Sequence, residues 1–160
     1  MNYYELATHT LALRQAIAEN VVRDLRERRP ALVLGDTGTG KTYLAATAAS
    51  MLVPSHLVVY PCMGVGHVAA SNWAYLFEQF PPLQGQDKNF PYFVGKPALG
   101  QNFGDRPMFL FDEVFADAEC HMTYQDLRNR YPTGYFLLCG SVCPAYSKNM
   151  EFRSMASYNL

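Results

Sequence analysis

Long apolar runs, an excess of charge of either sign and paired cysteines are all scarce in this chain of 160 residues. Without an apolar stretch approaching the length that spans a bilayer, no membrane partner is expected. The N-terminus carries Glu5 and lacks an apolar core segment, so it does not read as a secretory signal. A cytoplasmic or nuclear protein, not a secreted one, is the expectation. Thirteen Lys and Arg nearly cancel fourteen Asp and Glu, and the formal charge of −1 announces no global positive field. Arg23, Arg26, Arg28 and Arg29 form a local basic cluster that reads as a helix C-terminus, where cations complement the dipole. Cys62, Cys120, Cys139 and Cys143 show no C-x-x-C spacing, which points away from a zinc site and from a disulfide framework. Cys139 sits in an apolar run as a small hydrophobe, and Cys120-His121, without partner ligands in sequence, reads as structural or surface. No internal repeat is visible.

What is present is apolar residue content of 49%, enough in 160 residues for one well-buried core and hence one domain, 1–160. Leu6, Leu11, Leu13, Ile17, Val21 and Leu25 keep helical spacing from about residue 4 to 27, and Pro30 stops that N-terminal helix within 1–30. Ala31–Leu34 then reads as a buried strand, 42–52 as a helix ended by Pro54, and Leu57–Tyr60 as a strand stopped by Pro61. A helix is predicted over 68–80. Residues 81–106 are rich in Pro and Gly and read as a surface loop insertion with a short strand at 92–94. Strands at 108–112 and 135–139 flank a helical stretch at about 115–130. Alternating strands and helices, with strands too uniformly apolar to have a wet face, predict an α/β fold whose parallel sheet is covered on both sides.

Gly35-Asp36-Thr37-Gly38-Thr39-Gly40-Lys41-Thr42 matches G-x-x-x-x-G-K-[ST] in full, after a strand and before a helix. Such a loop turns consecutive N–H groups inward, and the following helix adds its positive end, so the cradle suits polyphosphate. Gly35, Thr37, Gly38, Thr39 and Gly40 are the expected loop residues, Lys41 the partner of the β- and γ-phosphates, and Thr42 a ligand of Mg²⁺. Met108–Phe111 is an apolar strand followed by Asp112-Glu113. Asp112 is expected to complete the Mg²⁺ shell, and Glu113 to polarise the attacking water. Ser141 ends another strand at the same carboxyl edge, where ligands of open parallel sheets bind.

In order, these segments resemble the first RecA-like domain of superfamily 2 helicases and translocases, the Snf2-like branch most of all. Leu13-Arg14-Gln15-Ala16-Ile17 looks like the upstream glutamine motif, Gly38–Thr42 like motif I, and Val58-Val59-Tyr60-Pro61 like motif Ia. Asn72-Trp73 with Phe77–Pro81 is similar to a segment common in that branch. Asp112-Glu113-Val114-Phe115 is similar to the DExH box, and Leu137–Val142 stands where motif III belongs. The resemblance implies a P-loop NTPase with a RecA-like three-layer sandwich, ATP and Mg²⁺ as cofactors, and nucleic acid as partner. It also implies that Gln15 reads adenine and that Ser141 couples nucleotide state to movement. Phe115 stands where the family has His or Asp, and motif III reads Gly-Ser-Val. The family's arginine finger comes from a second RecA-like domain, so such a domain, or another copy of this chain, is an expected partner. Two other readings stay open: another ASCE-type ATPase, such as a packaging or ring-forming motor, and a nucleotide-dependent binding switch with little turnover.

Overall fold

Six strands form one all-parallel sheet in the computed structural model, which describes residues 3–35, 41–62, 90–98, 100–116, 118–141 and 149–160. The elements run α1 (Tyr3–Arg26), β1 (Ala31–Leu34), α2 (Lys41–Leu52), β2 (Leu57–Pro61), β3 (Tyr92–Val94), β4 (Met108–Asp112), a 3₁₀ turn (Val114–Ala116), α3 (Ala118–Arg130), β5 (Tyr135–Gly140), α4 (Met150–Ser154) and β6 (Ala156–Asn159). In space the strand order is β3-β2-β4-β5-β1-β6.

The period of two along each strand divides the core between two faces. Ala31, Val33, Leu57, Val59, Met108, Leu110, Leu137 and Cys139 meet α1 and α2 on one side. Leu32, Leu34, Val58, Phe109, Phe111, Phe136 and Leu138 meet Cys120, Tyr124 and Leu127 of α3 and Phe152 of α4 on the other. Three layers result. The α1 stripe that closes the first core is Ile17, Ala18, Val21, Val22 and Leu25, all buried.

Helix ends follow backbone chemistry. At the end of α1 the Arg29 N–H donates to Asp24 O at 2.9 Å and the Arg28 N–H to Leu25 O at 3.0 Å, with Arg28 at φ 63. This is a Schellman arrangement in which Arg occupies the left-handed position that favours glycine. The basic cluster is therefore a helix end, as its composition predicts. At the end of α2, Val53 takes φ 47 just before Pro54.

Two differences from the sequence reading are instructive. Pro61 does not stop β2 from outside; it is the last residue of the strand, paired with Asp112. Beyond Ser141 no element is predicted, yet α4 and β6 are present, and β6 runs parallel to β1 in the register Ala31↔Ala156 to Leu34↔Asn159. The missing signal is length: α4 has five residues, capped by the Asn149 side chain accepting from the Phe152 N–H, and β6 has four. The helix predicted over 68–80, and with it Asn72, Trp73 and 77–81, lies outside the described residues. Described parts of the 81–106 segment hold the short strand β3 and otherwise no regular structure.

Candidate functional site

A parallel sheet presents all its strand C-termini along one edge, and four polar groups collect there. Gly35 follows β1 directly, Lys41 opens α2, Asp112 closes β4 with Glu113 next, and Ser141 follows β5. Because β5 lies between β1 and β4, Ser141 stands between the loop after β1 and the carboxylates after β4.

Hydrogen bonds join these ends. The Gly35 N–H donates to Gly140 O at 3.0 Å, and Ser141 Oγ donates to Gly35 O at 3.2 Å. Lys41 Nζ donates to the same Gly35 carbonyl, so that one oxygen holds both a strand-end hydroxyl and the lysine. Lys41 is only 8% exposed, and its Nζ lies 3.5 Å from Glu113 Oε1. Burying an ammonium is costly unless it is paired, and the carbonyl together with the carboxylate provides that pairing.

The backbone at Glu113 is itself unusual, with φ 58 in a residue that carries a Cβ. Left-handed non-glycine residues cost on the order of 1–3 kcal/mol and gather at functional sites. Here the turn directs the carboxylate to Lys41. Asp112 next to it is held above the usual carboxylate range, first by burial and then by repulsion from Glu113, with Lys41 partly opposing. The Asp112 carbonyl accepts from the Cys62 N–H at 2.9 Å, which ties the end of β2 to the same point.

Phe115, in the 3₁₀ turn after the carboxylates, packs against the end of β5. A Cβ placed on Gly140 would come within 2.6 Å of its ring, and the ring meets Phe152 of α4 edge-on at 5.1 Å between centroids. An apolar joint thus occupies the place where the helicase-like pattern has a polar side chain.

Of the residues singled out from sequence, Gly35, Lys41, Glu113 and Ser141 are linked directly, with Asp112 adjoining. Thr42 is exposed on the first turn of α2. Thr37, Gly38, Thr39 and Gly40 lie outside the described residues. Gln15 is not among the groups brought together: it is exposed on α1, and its amide donates to Glu19 Oε1 at 3.3 Å. Sequence reasoning missed Gly140, whose lack of a side chain admits Phe115, and the Gly35 carbonyl as a shared acceptor. Both depend on contacts between distant segments. Cys139, fully buried beneath the site, has its thiol pushed up chiefly by burial and stays a packing group.

Among the described residues no group of three or more His, Cys, Asp or Glu is placed to hold a metal by itself. Magnesium does not require one, since it keeps several waters and binds through one or two protein oxygens plus substrate phosphates. The Thr42 hydroxyl and the half-buried Asp112 carboxylate are hard oxygen donors of that kind. Compared with known proteins, the chain matches no family model and no curated sequence.

Proposed function

We propose that this chain binds a nucleoside triphosphate with Mg²⁺ and hydrolyses it, as the ATPase core of a helicase-like nucleic-acid translocase. The observation that carries the reading is the meeting of Lys41 and Glu113, 3.5 Å apart at the carboxyl edge of the sheet and from segments far apart in sequence. A buried lysine that follows a Gly-rich sequence and a carboxylate on a strained turn are the two charges that phosphate transfer to water needs.

On binding, the β- and γ-phosphates replace Glu113 and the Gly35 carbonyl as partners of Lys41. Glu113 is then released to accept a proton from the attacking water. The Thr42 hydroxyl and Asp112 would hold Mg²⁺, which would neutralise charge on the phosphate oxygens. A carboxylate kept above its usual range by burial and by a second carboxylate gains from such a cation, which fits Asp112 to that task. The Ser141 hydroxyl, bonded to Gly35 O, couples the end of β5 to the carbonyl that Lys41 leaves.

Arg128 packs over the Phe136 ring and Arg130 over Tyr131. Phe136 lies near the start of β5, so Arg128 is at the edge of the sheet opposite Glu113. Neither arginine serves this site in the same chain. An arginine finger is worth about 10³–10⁵ in rate in related enzymes, so hydrolysis by a lone chain is slow and a second RecA-like domain or another copy completes the motor.

The test is Mg²⁺-dependent ATP hydrolysis by the purified chain, with Lys41→Ala as the blank, with and without single- and double-stranded nucleic acid, over a range of protein concentrations. Turnover that vanishes in the blank and rises with nucleic acid supports the translocase. Turnover indifferent to nucleic acid but rising with protein concentration favours a self-assembling ATPase instead. Failure of the wild type to bind ATP rejects the reading.

A further inference from the structure

We infer that the cleft at the amino edge of the sheet, between the C-terminal half of α3 and the junction of α4 with β6, is a second ligand site that takes a small phosphate monoester. The inference is independent of the nucleotide reading, whose residues lie at the opposite edge of the sheet.

Topology sets the place of the cleft. Pro30 precedes β1, Ala156 opens β6, and Arg128 lies in the last turn of α3, which leads into β5, so all three stand where parallel strands begin. Glu151 ties α4 to α3 by accepting from Gln125 at 3.1 Å and by meeting His121 Nε2 at 2.6 Å. Past that tie the elements enclose a cleft of about 280 Å³. That volume suits a small ligand, since sites for drug-sized molecules run from about 300 to 1,000 Å³.

Tyr124 is the residue that points to a ligand. It is 2% exposed and packs edge-on against Phe111 and Phe136, yet it lines this cleft. A buried phenol usually finds a hydrogen-bond partner, and among the described residues Tyr124 has none. Its hydroxyl is not sealed in the core either, because the only sealed and unpartnered side-chain polar atom among the described residues is His56 Nε2. The cleft is where a partner for the phenol can enter.

Two guanidiniums give the site its sign. Arg128 lies over the Phe136 ring at 5.4 Å and, among the described residues, pairs with no carboxylate. Arg29 is held by Asp24 and Glu27, but both take the same nitrogen, Nη2, which leaves Nη1 and Nε to donate elsewhere. Glu151, the one carboxylate among the described lining residues, is taken up by His121 and Gln125. Arg128, Arg29 and the phenol are thus donors from three directions, a set that suits the several oxygens of a phosphate group. Pro30 and Met155 add an apolar wall for the organic part of an ester.

Calorimetric titration of the full chain with phenyl phosphate, and with inorganic phosphate and phenol as its two halves, tests this. Phenyl phosphate should bind more tightly than either half. Arg128→Gln should weaken it by about 10- to 100-fold and Tyr124→Phe by about 10-fold, the losses expected of hydrogen bonds to a charged group. Melting curves show whether each variant is folded, and Tyr124→Phe, which removes a single oxygen, decides the matter if Arg128→Gln is not. Lys41→Ala should leave the affinity within about two-fold, since distant sites act independently. Glu151→Gln should tighten binding by about two- to five-fold through loss of a repelling charge. Absence of saturable binding, or binding unchanged in both Arg128→Gln and Tyr124→Phe, overturns the site. Binding lost in Lys41→Ala and kept in those two variants puts the phosphate at the other edge and overturns it as well. Weaker binding in Glu151→Gln would mean that the carboxylate holds the ligand, which overturns the anionic assignment.

Discussion

Two carboxylates, the buried Asp24 and the half-buried Asp112, differ in how the molecule satisfies them. Asp24, at the end of α1, is 3% exposed and fully used: it accepts from Arg29 Nη2 at 2.8 Å and from the Tyr158 hydroxyl of β6. That cluster fastens the last strand to the first helix. Asp112 is half-buried, its neighbour in sequence is a second carboxylate, and the nearby Lys41 is engaged with Gly35 and Glu113. A carboxylate surrounded by donors serves the fold, whereas the setting of Asp112 suits the cation that the proposed function assigns to it.

The largest effects should separate the two charges on Lys41 and Glu113. Lys41→Ala is expected to abolish triphosphate binding, while Glu113→Gln keeps ATP bound and slows turnover about 10²–10⁴-fold. Binding and single-turnover assays on both variants check this, and equal loss of binding would remove the division of labour. Next, Asp24→Asn should cost about 1.5–3 kcal/mol, the value of hydrogen bonds to a charged group. In a chain of this length that lowers the melting midpoint by about 3–10 °C, with triphosphate affinity unchanged. A similar loss, about 1–3 kcal/mol, is expected for Gly140→Ala, because the new methyl meets the Phe115 ring. Adding Phe115→Ala to that variant should return part of the stability, and additive losses in the double variant would show that the contact is not the cause.

Asp112 carries its own pH dependence. Its folded-state pKa is raised, so its contribution favours folding at pH below the unfolded value and is lost as pH rises through the folded value. Melting curves of wild type and Asp112→Asn should therefore agree in acid, with the variant melting higher at neutral pH while Mg²⁺-dependent hydrolysis is lost. A variant less stable than wild type at neutral pH would mean that the carboxylate is already satisfied. The smallest effect is at a helix end: Arg28→Gly should stabilise by about 0.5–1 kcal/mol, since φ 63 is the conformation in which glycine caps a helix, as denaturant midpoints would show.

Phe115 shows why part of the site was not legible from the chain. In the resemblance to superfamily 2 motors it is only a departure, an aromatic in a polar position. Packed on Gly140 and Phe152, it becomes the joint between the carboxylates, the end of β5 and the C-terminal helix.

Local pattern determined the strands from Ala31 to Gly140, the long α1, α2, the order of layers and the identity of Lys41, Asp112, Glu113 and Ser141, because apolar periodicity, strand-ending polar groups and a glycine-spaced loop are all read within a few residues. Tertiary structure alone decided that β5 separates β1 from β4, that β6 closes the other side of β1, and that one carbonyl oxygen holds both Ser141 and Lys41. Strand order, register and a shared acceptor depend on which distant segments pack together, and that is settled by burial and hydrogen-bond satisfaction over the whole core, not by any neighbouring residues.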